Sequence, residues 1–284
     1  MPKLREIIDL HRGQATSDGA GVRLTRIIGG PGIERFDPFL MLDEFGSNEP
    51  DDYIAGFPAH PHRGFETVTY MLEGRMRHED HMGNVGLLGP GGVQWMTAAR
   101  GVIHSEMPEQ EAGVMRGFQL WLNLPASAKL GDAAYEDIPA GRLPRVETGG
   151  GVTVIVIAGT FDDGTVRQPG AVQRPDTEPL YLDLHLPAGA SVAPRVPDGH
   201  RALLYVYEGS LSLDGQANSI TAGHLARLSL EGDLRLTSET GARVLVIAGK
   251  PLNEPIVQYG PFVMNSREEI EQAMRDFHAN QLTA

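Results

Sequence analysis

Residues 69–96 read TYMLEGRMRHEDHMGNVGLLGPGGVQWM. Apolar and polar side chains alternate up to Glu73-Gly74, and apolar runs resume at 85–88 and, after Gly89-Pro90-Gly91-Gly92, at 93–96. Alternation puts successive side chains on opposite faces of a strand, and Gly and Pro clusters interrupt it. The stretch therefore reads as strand, Glu-Gly turn, strand, Gly-rich turn, strand. Residues 204–230, LYVYEGSLSLDGQANSITAGHLARLSL, read the same way, and pairing Glu73-Gly74 with Glu208-Gly209 gives an offset of 135 residues. The chain reads as two copies of one β-fold.

Outward from these segments the pattern continues. Further strands are expected at 22–28, 39–42, 65–72 and 118–124 in the first copy, and at 152–158, 181–186, 203–207, 225–230 and 244–248 in the second. Short strands at this spacing argue for an antiparallel barrel or sandwich in each half. Pattern weakens over 125–151, where Pro, Gly and Ala rise, which marks the connection between domains at 1–135 and 150–284. Ser266-Arg267-Glu268-Glu269 is a capping-box sequence, and Ile270, Ala273, Met274 and Phe277 follow on one helical face. One amphipathic helix of about three turns should close the chain.

Composition narrows the function. Of 284 residues 41% are apolar, enough for packed cores, and the net charge of −13 works against direct contact with phosphate backbones. The chain has no cysteine, which excludes disulfides, thiolate metal sites and thiol nucleophiles, and fits a reducing cytoplasm. The N-terminal stretch lacks the apolar core of a signal peptide, and no stretch reaches the roughly 18 apolar residues of a membrane span.

Two short pairs carry the chemistry, His60-Pro61-His62 and His104-Ser105-Glu106. Residues two apart on a strand face the same side, about 7 Å between their Cα atoms. Two such strands side by side would present three imidazoles and a carboxylate, a set suited to a divalent first-row metal with open positions. The plain alternative is that His60 and His62 are surface histidines; Pro61 also places the pair at a strand edge or start. Glu66 shares the parity of His62 and reads as a fifth ligand, a support for a ligand imidazole, or an ordinary strand carboxylate; Glu106 is the favoured ligand. At the offset of 135, His60, His62 and Glu66 align with Arg195, Pro197 and Arg201, so only the first copy is built for metal. His78 and His81 lie in a polar run, RHEDHMGN, that reads as a solvated turn. His11, His185, His200, His224 and His278 lack partners at ligand spacing. Phe57, Trp95 and Met96 flank the pairs, as pocket lining or as core. The Gly-rich segments 29–32 and 89–92 serve tight turns, since neither opens a helix with a following Lys-Ser/Thr.

FDPFLMLDEF (36–45), FPAHPHRGFETVTYMLEG (57–74), GPGGVQWMTAARGVIHSE (89–106) and EPIVQYGPFVMNSREEI (254–270) together, in this order, closely resemble the pirin family of the cupin superfamily. The resemblance covers nearly the whole chain. It implies an all-β bicupin: two antiparallel β-barrels (jelly rolls) with a short C-terminal helix, and one metal in the N-terminal barrel. Carried over by motif, the ligands are His60, His62, His104 and Glu106. Iron as Fe2+ is the usual ion, with Mn, Ni, Cu, Co and Zn as alternatives. Members of this type resemble quercetin 2,3-dioxygenases, which cleave a flavonol with O2 and release carbon monoxide; the implied partners are a flavonol-like aromatic substrate and O2, with Glu106 as general base and no organic cofactor. Other pirins resemble regulators that bind a transcription factor or a metabolic enzyme, with the metal as a redox switch.

Overall fold

The computed structural model describes residues 3–30, 35–216 and 219–284. They divide into two units, one of Met1–Gly13, Phe36–Pro38 and Gly141–Pro251, the other of Gln14–Arg35, Phe39–Ala140 and Leu252–Ala284. The boundary near residue 140 falls in the weakly patterned stretch, but the termini are exchanged relative to the expected division. The first residues join the second copy, and the terminal helix joins the first.

The histidine-bearing unit is a pair of facing antiparallel sheets. Seven strands run in the order Ala134–Ile138, Val93–Thr97, Phe65–Glu73, Met115–Asn123, Phe39–Ser47, Val22–Ile28 and Gln14–Asp18. Four more run Phe57–His62, Val102–Pro108, Met76–Asp80 and Val85–Leu88. Val22, Leu24, Phe45, Met71 and Met115 of the larger sheet pack on Met76 and Leu88 of the smaller, so the alternating residues of both inner faces close one core.

The quoted stretch crosses twice between these sheets. Phe65–Glu73 belongs to the larger and Met76–Asp80 to the smaller, so Glu73-Gly74 is a corner at which the chain changes sheet, not a hairpin reversal. Gly74 takes φ +86°, a left-handed backbone that favours glycine, and an added Cβ would press on the carbonyl of Val114 at 3.0 Å. Its counterpart Gly209 takes φ +71° within the continuous strand Arg201–Leu213, which pairs first with Ala242–Gly249 and then with Leu236–Ser238. The repeat is thus a repeat of corners.

The second unit carries a ten-stranded sheet system around an apolar core that includes Val192, Leu204, Val206, Leu211, Leu213 and Leu236. The single α-helix among the described residues is Arg267–His278, with Ser266 as N-cap and a complete capping box to Glu269. Ile270 and Ala273 are buried, and Met274 and Phe277 pack beside them against Phe262 and Met264. Among the described residues no helix is long and apolar enough to cross a membrane. Of the Gly-rich segments, Pro31 and Gly32 lie outside the described residues.

Candidate metal centre

Val102–Pro108 lies in the middle of the four-stranded sheet, between Phe57–His62 and Met76–Asp80. Register sets His104 directly opposite His60, and Val102 opposite His62. Pro61 is tolerated because Phe57–His62 is the edge strand. Ring centroids of His60, His62 and His104 are 4.4–4.9 Å apart, and their ligating nitrogens all fall within 4.8 Å of one another. His62 and His104 are buried.

Three nitrogens face one point. His60 Nδ1 lies 2.8 Å from the carbonyl of Pro58 and donates to it, which leaves Nε2 bare. That Nε2 is 3.0 Å from His62 Nε2. His104 Nε2 is buried with no hydrogen-bond partner. A six-coordinate ion with bonds of about 2.1 Å to nitrogen would set neighbouring donors about 3.0 Å apart, so this spacing fits one transition metal. Burial, then the neighbouring imidazoles, hold His62 and His104 well below the usual histidine range, so both present lone pairs at neutral pH.

Glu106 follows on the same buried face of its strand but stands outside the three-histidine group. Thr69 Oγ1 donates to its Oε1 at 3.0 Å, and Gln119 Nε2 donates to its Oε2 at 2.9 Å. Trp121 Nε1 donates to Gln119 Oε1 at 3.3 Å, which turns the amide nitrogen toward the carboxylate. Glu66 is buried and accepts from Thr97 Oγ1 at 2.6 Å. Gly64, at φ +91°, ends the extended run after His62, so the shared parity of His62 and Glu66 does not carry across.

Several expectations are corrected. His78 is not in a solvated turn: its side chain is fully buried, because Met76–Asp80 is a strand with Met76 and His78 inward and Arg77 and Glu79 outward. Of the two readings left open for Trp95, Met96 and Phe57, core is the one met: Trp95 and Met96 are buried, Met96 with Ala98 and Val102, and Phe57 packs against the apolar core. The aromatic wall of the site is Phe65 and Trp121, edge-on to His62 at 5.1 and 5.2 Å, which no local motif signalled. His185 has a partner two residues away, Asp183 Oδ2 at 3.0 Å.

The chain is similar to known proteins over nearly its whole length. The chain matches the Pirin family over residues 21–122 and the Pirin C-terminal cupin domain over 181–283. It is 71% identical over 278 residues, 98% of each chain, to a Pseudomonas aeruginosa protein whose name provisionally assigns quercetin 2,3-dioxygenase activity. It is 49% identical over 96% of its length to a pirin-like protein of Caulobacter vibrioides, of which 98% is covered. The crystal structure of a quercetin 2,3-dioxygenase from Acinetobacter baumannii superposes with a TM-score of 0.87 at 32% identity, over 99% of both chains.

Proposed function

The chain belongs to the pirin family, and from that premise we propose that it is a metal-dependent dioxygenase that cleaves flavonols such as quercetin with O2 and releases carbon monoxide. The observation that carries this reading is the convergence of three imidazole nitrogens at a spacing suited to one ion. His60, His62 and His104 would hold the metal, Fe2+ in this reading, with Glu106 as fourth donor. The ion, when bound, supplies Lewis acidity toward a hydroxyl and the electronic route to O2.

The remaining work falls to side chains. Glu106 takes the proton of the flavonol 3-hydroxyl. Each carboxylate oxygen already accepts one bond from a neutral donor and keeps a further lone pair for that proton. Thr69 and Gln119 hold the carboxylate in place, and Trp121 holds Gln119. Phe65 and Trp121 back the His62 ring with apolar surface and keep water from that side.

The test is aerobic incubation of iron-loaded protein with quercetin. Loss of the near-visible absorbance should accompany oxygen uptake and carbon monoxide release, and His62→Ala should abolish all three. Wild-type and His62→Ala protein that behave alike would sink the dioxygenase reading.

A further inference from the structure

His78 has no place in the chemistry above, yet its side chain is fully buried beside His104, with the two Nδ1 atoms 3.3 Å apart. An ion held by His104 Nε2 cannot also lie between these two Nδ1 atoms, so two bare lone pairs there would repel and two N–H groups would collide, and one hydrogen sits between the rings. If it belongs to His78, the proton of neutral His104 is on Nε2, where it points into the three-imidazole cluster. If it belongs to His104, Nε2 of His104 is bare. The hydrogen of His78 is then on its own Nε2, which makes no hydrogen bond but lies 3.6 Å from Asp80 Oδ2, close enough for the carboxylate charge to favour an N–H there. The second arrangement turns an N–H toward the Asp80 carboxylate and a lone pair toward the cluster; the first reverses both.

The ring of His78 is held in plane. Tyr135 stacks on it at 4.3 Å with 22° between planes. The Tyr135 hydroxyl donates to Asp137 Oδ1 at 2.6 Å and accepts from Gln94 Nε2 at 2.9 Å. Gly86 is paired with His78 across the strands, and an added Cβ there would lie 1.8 Å from the Tyr135 hydroxyl, so only glycine lets this layer close.

We propose that His78 is a positioning residue for the metal centre: its bare Nδ1 accepts from His104 Nδ1–H and so keeps His104 Nε2 free for the ion, while Asp80 sets the tautomer of His78. The proposal rests on the reading of His104 as a metal donor. It extends the common arrangement in which a ligand imidazole donates its other N–H to an acceptor, with a histidine as that acceptor and a carboxylate charge beside it.

The test uses full-length wild type, His78→Phe, which keeps the stacking on Tyr135 but lacks the acceptor, and His78→Gln, which restores an acceptor oxygen. Nitrogen-15 correlation spectra of the metal-free proteins report the tautomer of His104, and chelator competition with cobalt(II) reports affinity. In wild type His104 should carry its proton on Nδ1. His78→Phe should move it to Nε2 and weaken cobalt binding about 10- to 100-fold. His78→Gln should recover most of that loss. A wild-type His104 protonated on Nε2 overturns the proposal without reference to any metal, as does His78→Phe with wild-type affinity, or equal losses in both variants. A wild type with the Nδ1–H form that takes up no cobalt sinks the metal reading and leaves the tautomer assignment standing. Should His78→Phe not fold, the wild-type spectrum and His78→Gln still decide.

Discussion

At the scale of single residues, two buried imidazoles make stability depend on pH. Burial, then neighbouring imidazoles, place His62 and His104 well below the ordinary value of about 6.5. Above that value both folded and unfolded chains carry them neutral. Below it the unfolded chain binds protons that the folded one refuses, so the metal-free protein loses stability as pH falls from about 6.5 toward the folded values, by up to about 1.4 kcal/mol per pH unit for each histidine. Urea midpoints at pH 6.5 and 5.5 should show this slope, and His62→Asn/His104→Asn should flatten it; His200, also lowered by burial, contributes to both proteins alike. Equal slopes would refute the assignment. The grouping of His60, His62 and His104 was legible because spacing of two on a strand is a one-dimensional signal. His78 was not, because charged neighbours and a following glycine resemble a loop, although Met76 and His78 share one parity and Arg77 and Glu79 the other. The bonds from Thr69 and Gln119 to Glu106 join residues 37 and 13 positions apart, and no local pattern encodes them.

At the scale of elements, strands and the capped helix were read from alternation and from Ser266, while their connections were not. Val22–Ile28 and Val85–Leu88 fall where alternation placed them, whereas the Glu-Gly turn proved to be a corner between sheets. The segment after His62 is fixed by two buried cations, Lys129 and Arg63. Lys129 Nζ donates to the carbonyls of Gly64 and Val263 and to Asn123 Oδ1, at 2.6, 3.0 and 2.6 Å. Arg63 donates to the carbonyls of Arg100 and Leu282 and to Asp276 of the helix. Lys129→Met would leave three buried acceptors unpaired, and each costs about 1–3 kcal/mol. The variant should therefore unfold at a denaturant concentration lower by about 3 kcal/mol or more of stability. Because Gly64 lies two residues from His62, its cobalt affinity should fall as well. A wild-type denaturation midpoint would show that these bonds hold nothing together. Ser266→Ala, by contrast, should cost only about 1 kcal/mol, the ordinary value of an N-cap, and leave metal affinity unchanged.

At the scale of the whole molecule, one fold is used twice, and candidate metal donors gather in one copy among the described residues. The first copy points imidazoles inward from two adjacent strands; the second fills the corresponding interior with Val192, Leu211, Leu213 and Leu236, which leaves no donors. Among the described residues only one group of potential ligands comes together. Cobalt(II) titration should therefore saturate at one ion per chain, and two would show that the second interior is not the closed apolar core it forms here. The same asymmetry fixes how metal acts on stability. An ion that binds only the folded state adds RT ln(1 + [L]/Kd), about 4 kcal/mol at a thousandfold excess over Kd. Chelation should accordingly lower the melting temperature of wild-type protein by several degrees. His104→Asn removes a donor from the cluster, so it should melt at one temperature with or without chelator, while Arg195→Ala, at the position aligned with His60 in the second copy, should keep the full shift. If chelator shifts His104→Asn as much as wild type, the stabilising ion is bound somewhere other than these three histidines.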